Sequence, residues 1–226
     1  KVAFNLASWV EENIEYDLNS VTTAASQKGS WVLQNRQGVC DEMTSLFVAM
    51  ARSLGIPARF VSGISYTTHE GVVASAGSNW AGHGWAEVYF PDIGWVSFDV
   101  TFNQYGYIDV THIKLRDASD PTEAAVKYEW ISDGVKLEKG KLDMDVSIEK
   151  EGEIIPEAIE LEQELLAHEV GFGSYNLIKG TVRNNADYYT ATALNLAAPI
   201  EVEVFVRNRR NIMLRPEEVR ETFWII

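Results

Sequence analysis

Gly38-Val39-Cys40-Asp41-Glu42-Met43-Thr44-Ser45-Leu46-Phe47-Val48-Ala49-Met50-Ala51-Arg52-Ser53-Leu54-Gly55-Ile56-Pro57 is the stretch on which the architecture turns. Leu46, Phe47, Met50, Ala51 and Leu54 recur at three- and four-residue spacing, so a helix with one apolar face is predicted from Cys40 to Leu54. Gly38 marks the turn that feeds it and Gly55 stops it. Upstream, similar spacing predicts a helix from Val2 to about Tyr16 and a weaker one from about Thr22 to Asn35. Downstream of Ile56-Pro57 the texture changes to short β-rich runs, Arg59–Thr67, Gly84–Phe90, Gly94–Phe102 and Ala124–Ile131. Helices followed by segregated strands mean an α+β unit, with N-terminal helices packed on an antiparallel sheet.

Pro91-Asp92-Ile93-Gly94 is a tight reversal, which makes its flanking runs an antiparallel hairpin. Thr68–Gly82, rich in Gly, Ser and Ala and without periodicity, reads as a mobile loop bordering a cleft, as a gate would. Beyond Gly134 come Lys141–Ile148, Ala158–Ala167, Tyr175–Val182, Tyr188–Leu196, Ile200–Val206 and Val219–Ile226, mostly alternating and separated by turn residues. Glu is a poor strand former, yet Ile159 and Leu161 alternate with Glu160, Glu162 and Glu164, and the two-residue period favours strand over helix. An all-β sandwich of immunoglobulin type is therefore predicted for 136–226, after an α+β core at 1–135.

The chain of 226 residues suits one large or two small domains, and its 46% hydrophobic and 11% aromatic content suits a packed core. A net charge of −14 repels phosphate backbones and anionic lipid surfaces, so nucleic acid is a poor partner, while basic peptides or polyamines would be steered in. No apolar run reaches the length of a spanning helix, so no membrane insertion is expected within this segment. The chain opens on Lys1 and goes straight into an amphipathic pattern, which reads as an excerpt of a longer polypeptide and leaves its compartment open. A single Cys excludes an internal disulfide and a Cys-rich zinc site, and leaves one reactive thiol.

Thiol chemistry needs a stabilised thiolate, a base for its proton and a group that orients the base. Cys40 begins the strongest helix, whose N-terminal N–H groups should lower the thiol pKa and hold a developing oxyanion. His83 opens one hairpin strand and Asp99 lies in the other. Taken singly, each has a bland reading, as a small buried thiol, a strand histidine and an edge carboxylate. Their combination is what points to a catalytic triad.

Gly38-Val39-Cys40-Asp41-Glu42, Leu54-Gly55-Ile56-Pro57-Ala58-Arg59 running into Val61-Ser62-Gly63, His83-Gly84-Trp85-Ala86-Glu87-Val88-Tyr89 and Gly94-Trp95-Val96-Ser97-Phe98-Asp99-Val100-Thr101 resemble, in this order, the transglutaminase-like superfamily. The resemblance covers about Val2 to Ile131 and implies a papain-like fold with Cys40, His83 and Asp99 as its triad. It implies acyl transfer at amide bonds through an acyl-thioester, on a protein or peptide substrate, in a family of crosslinkers, peptide-cleaving enzymes and glycan amidases. It also implies that Gln34 could serve as an oxyanion donor, against a capping or surface amide. Sandwich domains accompany this core in surface proteins, which suits the extracellular part of a secreted or membrane-anchored protein. The rival function is a non-catalytic surface binding or adhesion module.

No cofactor or metal is expected. A zinc site from Cys40, His83 and Asp99 would have dispersed ligands, His69, His112 and His168 read as surface or structural residues, and Asp92, Asp109, Asp117 and Asp120 as solvated acids rather than calcium ligands. Trp80 and Trp85 flank His83 and either wall the cleft or belong to the core. Strand parity adds a condition: His83 and Asp99 share a sheet face only if the hairpin loop has odd length, centred on Pro91 such as Phe90 to Asp92, or if a bulge intervenes. Both should then face the start of the Cys40 helix.

Overall fold

A computed structural model describes residues 1–20, 26–124, 145–147, 149–150, 152–153 and 156–226. The chain forms two compact units, Val2–Glu151 and Gly152–Ile226. The boundary expected at 135/136 lies outside the described residues, as do nearly all of the run expected at Ala124–Ile131 and most of Lys141–Ile148.

Helix α1 (Val2–Asn13) buries Ala3, Ala7 and Val10 but closes before Tyr16. Glu15 N–H donates to Arg36 O at 2.8 Å and Asp17 N–H to Gly38 O at 3.1 Å. These ladder bonds replace a further helical turn and make β1 (Glu15–Tyr16) a parallel partner of β2 (Gln37–Gly38). Between them, α2 (Gly29–Asn35) is shorter than the periodicity suggests and ends at Arg36 in the left-handed region, φ 58°.

Helix α3 (Cys40–Ser53) follows an extended Val39 that offers no side-chain cap. The buried Glu42 reaches back over the helix start instead, accepting Val39 N–H at 3.2 Å and Gln27 N–H at 2.9 Å. Past Gly55 the chain enters β3 (Ala58–Tyr66), α4 (Glu70–Ala76), β4 (Trp80–Phe90), β5 (Gly94–Asp99), β6 (Gln104–Tyr105), β7 (His112–Ala118) and α5 (Pro121–Ala124). The expected loop Thr68–Gly82 thus holds a short helix and the first residues of β4; two turns are too few to show a period in sequence. β7 also escapes the sequence reading, because an edge strand carrying Lys114, Arg116 and Asp117 has a polar pattern.

The five strands run β6-β5-β4-β3-β7, antiparallel throughout. Phe60, Ala86, Val88 and Phe98 form the face toward α3, where Phe98 stacks on Phe47 with ring centroids 5.6 Å apart. Alternation sends His83, Trp85 and Glu87 to the other face.

In the second unit β8 (Ile159–Leu165) is a strand, as alternation demands, in a sheet ordered β12-β9-β8 with β9 (Leu177–Asn184) and β12 (Val219–Ile225). β10 (Thr190–Asn195) pairs with β11 (Arg209–Leu214). Val182, Leu194, Ile212, Leu214 and Trp224 form one buried cluster drawn from both sheets. The run expected as a strand at Ile200–Val206 is irregular, turning where Val202 N–H meets Pro199 O at 2.9 Å, and contributes Val204 and Val206 to the cluster from outside the ladders.

Candidate active site

The hairpin between β4 and β5 closes Phe90 on Gly94 around a three-residue loop, Pro91–Ile93, with Asp92 at φ 67° and Gly94 at φ 98°. The loop is odd, as the parity argument requires, but centred on Asp92 rather than Pro91. Every rung from Phe90↔Gly94 to Ala86↔Phe98 joins residues of equal parity, so the next position along β4 from Asp99 is Trp85 and His83 is its diagonal neighbour. His83 Nε2 lies 2.6 Å from Asp99 Oδ2.

Asp99 is wholly buried and fully engaged. Its Oδ1 accepts the N–H groups of Thr101 at 2.8 Å and Phe102 at 3.0 Å. Burial alone would raise its pKa, but the adjacent His83 and the bonds from His112, His83 and Phe102 hold the carboxyl well below the usual range. The His83 ring is clamped by stacking on Phe102 at 4.6 Å and Trp85 at 6.0 Å. Trp85 is therefore core and wall together, whereas Trp80 packs edge-on to Tyr66.

Cys40 opens α3, which packs on β4 beside His83. Gly84, the neighbour of His83, has Asp41 Oδ1 within 2.6 Å of where a Cβ would stand and takes a 3.0 Å bond from Thr44 Oγ1 at its carbonyl, which pins the start of α3 against β4. Residues 80–85 of β4 have no β5 partner. It is Gly84 that faces the helix, with His83 turned to the opposite side. Cys40 is half-buried as a residue, and its thiol lies 3.7 Å from Asp41 Oδ1.

The expected depression of the thiol pKa by the helix start is reversed. Burial pushes the Cys40 thiol up, and the carboxylates of Asp41, Asp99 and Glu42 add to it against the single pull of Gly84 N–H. Helix-terminus effects are worth about 1 kcal/mol or less when exposed, and a desolvated thiol beside several carboxylates outweighs that. Asp41→Asn removes the nearest of these charges, so alkylation of Cys40 by iodoacetamide at pH 7 should quicken roughly tenfold. An unchanged rate would mean that Asp41 does not hold the proton on sulfur.

Two residues join the site that the sequence did not single out. His112, read as surface or structural, has a wholly buried side chain whose Nε2 lies 3.0 Å from Asp99 Oδ2 and whose Nδ1 lies 3.0 Å from Asp109 Oδ1. β7 is three strand spacings from β5, about 14 Å on a flat sheet, so the meeting of these side chains requires a curved sheet with this face concave. Tyr16, taken for the end of a helix, is brought beside Gly38 by the β1–β2 pairing. Burial, then the charges of Cys40, Asp41, Asp99 and Glu42, push its phenol far up, so it stays an O–H donor. Gln34 is exposed in the last turn of α2, and no described contact ties it to Cys40, His83 or Asp99. His69 and His168 are exposed as expected.

His83, Asp99 and His112 offer ligand atoms all within 4.8 Å of one another, a spacing that could enclose a cation. Both histidines, however, already spend Nε2 on Asp99 Oδ2, and the same contacts are accounted for as a hydrogen-bond network.

Residues 1–100 match the sequence profile of the transglutaminase-like superfamily, a stretch that takes in Cys40, His83 and Asp99 in their order. Residues 1–100 are thus transglutaminase-like. The transglutaminase-like stretch is 36% identical over 97 residues to the Bacillus subtilis (strain 168) protein YebA, itself uncharacterized, covering 38% of this chain and 13% of YebA. It is 28% identical over 107 residues to a protein-glutamine gamma-glutamyltransferase of Pseudomonas aeruginosa, covering 45% of this chain and 15% of that protein. The chain thus spans far less than two thirds of either relative. A proposed cysteine protease from Cytophaga hutchinsonii superposes on 55% of this chain and 38% of its own with a TM-score of 0.43 at 25% identity. The profile match ends before Asp109 and His112.

Proposed function

We propose that the transglutaminase-like unit catalyses cysteine-dependent acyl transfer at amide bonds through an acyl-thioester. Cys40 is the nucleophile, His83 the general base and acid, and Asp99 the group that fixes the imidazole. The observation that carries this reading is the 2.6 Å contact of His83 Nε2 with a carboxylate that has no proton to give. Nε2 must then carry the hydrogen, and neutral His83 keeps its lone pair at Nδ1, free to accept the thiol proton.

As the thiol starts protonated, attack and proton transfer belong to one event: the S–H leaves Asp41, Nδ1 takes the proton, and sulfur bonds the amide carbon. Backbone N–H groups at the start of α3 and the Tyr16 phenol are the donors suited to the oxyanion, in place of Gln34. Collapse breaks the C–N bond, and His83 gives its proton to the departing amine or ammonia. Water then loses a proton to His83 and attacks the thioester, releasing acid and regenerating the thiol. Water is the first acceptor in this reading because it is always available. Transfer to an amine is the second reading, supported by the likeness to the Pseudomonas glutamyltransferase.

The substrate is a protein or peptide, and the charge of −14 favours a basic one. The second unit is read as an accessory sandwich of immunoglobulin type. A pure binding module is disfavoured, since nothing in binding calls for a buried carboxylate shared by two imidazoles.

Dimethylated casein incubated with monodansylcadaverine tests the proposal. Ammonia release, dye incorporation and new peptide fragments separate deamidation, amine transfer and proteolysis, and Cys40→Ala should abolish whichever occurs. A wild-type chain that yields none of the three, or a Cys40→Ala chain that retains one, sinks the reading.

A further inference from the structure

We infer that His112 is a positioning residue of this site, held as an imidazolium between Asp99 and Asp109 so that Asp99 orients His83 with its own charge already balanced. The inference rests on the triad reading above and lies outside the stretch that the superfamily profile covers.

Hydrogen-bond chemistry carries it. Each ring nitrogen of His112 stands 3.0 Å from a carboxylate oxygen. An ionised carboxylate only accepts, so both nitrogens must carry hydrogen, and an imidazole with two N–H groups is a cation. Asp99 is kept ionised by its four donors. Asp109 is kept so by Thr111, through both N–H and hydroxyl, and by Gln104 Nε2 at 2.6 Å. The pKa of Asp109 is accordingly lowered by these bonds against the pull of burial. That of His112 is raised by its two acid partners although burial acts the other way.

The frame is built to hold this arrangement. Gln104 pairs with Asp99 across β5 and β6, and its Oε1 accepts Asp109 N–H at 2.8 Å, so one side chain braces the loop that carries the second carboxylate. The titratable groups that face His112 are Asp99 from β5, Asp109 from the loop before β7 and His83 from β4, its ring 5.5 Å away. From β3 its registered partner is the uncharged Ser65. Trp85 and Phe102 close the remaining sides edge-on at 5.3 and 5.4 Å. Without the imidazolium, the Asp99 charge, which opposes ionisation of Cys40, would stand uncompensated in a site of low dielectric.

Protonation can be read without catalysis. In Cys40→Ala protein labelled with 15N at histidine, the His112 ring should show both nitrogens protonated at pH 7, and Asp109→Asn should lower its titration midpoint by about one unit. A neutral His112 at pH 7 overturns the inference whether or not the wild-type chain turns over an amide; an imidazolium in a chain inert toward casein counts against the triad reading alone. His112→Gln, which keeps one donor for Asp99 and loses the charge, should slow iodoacetamide alkylation of Cys40 at pH 7 roughly tenfold and displace the rate–pH curve to higher pH. A folded His112→Gln chain with the wild-type curve would reduce His112 to a packing role and overturn it equally.

Discussion

Asn at position 99 should lower amide turnover by about 10³–10⁴-fold while leaving a folded chain. The Oδ1 position still accepts Thr101 and Phe102 N–H, so the turn after β5 survives. What changes is the side facing the imidazoles. An amide NH₂ there would confront the Nε2–H of His83 donor to donor, and His83 escapes by moving its hydrogen to Nδ1. That nitrogen can then no longer take the Cys40 proton, and the loss falls on kcat. The casein assay measures it, and a variant within tenfold of wild type would show that His83 does not depend on Asp99 for its tautomer.

The same variant has a pH signature. Asp99 is ionised in the fold well below its usual range, so its contribution to stability is complete above the unfolded value of about 4 and is lost as pH falls toward the folded one. The melting-temperature gap between wild type and Asp99→Asn should therefore be full at pH 7 and shrink below about pH 4. A gap that widened on acidification would contradict the depressed carboxyl.

The sequence was informative about local geometry and poor about convergence. The start of α3 at Cys40 is written in its apolar period and in Gly38, and the shared face of His83 and Asp99 follows from an odd loop, one of the two arrangements that strand parity allows, centred on Asp92 rather than Pro91. His112 was not, because its role depends on sheet curvature that brings an edge strand back over β5, and no window of residues encodes that meeting. Tyr16 was lost to an apolar spacing that continues past the last helical hydrogen bond; the pairing with Gly38 that ends the helix comes from 22 residues away. The sign of the thiol shift failed for a related reason. Asp41 and Glu42 are plain in the sequence, but whether the sulfur lies on the helix N–H groups or on Asp41 is a matter of tertiary packing. In the second unit, Arg209-Arg210-Asn211 hides a strand whose apolar half is Ile212, Met213 and Leu214, of which Ile212 and Leu214 enter the core.

Curvature of the sheet also locates its most sensitive glycine. Gly63 pairs with His83 on one side and Lys114 on the other, where β3 and β7 shift register between Ser62 and Gly63. A Cβ at Gly63 would lie 2.3 Å from the carbonyl oxygen of Ile113 and 2.6 Å from the Trp85 ring. A side-chain tip could yield, but a backbone oxygen in a ladder and a fully buried indole cannot do so together. Gly63→Ala should therefore cost about 3 kcal/mol, at the upper end for overpacking, and lower the melting temperature by about 6–12 °C for a chain of this size. Relief by moving β7 outward would carry His112, the neighbour of Ile113, off Asp99, so the surviving folded fraction should also show a lowered His112 titration midpoint. Gly82→Ala is the matched comparison on β4, with nothing within 4 Å of its added Cβ, and should melt like the wild type or slightly above it. If Gly63→Ala melted within a degree of Gly82→Ala, the close approach of β7 and Trp85 over position 63 would be wrong, and with it the curvature that brings His112 to the site.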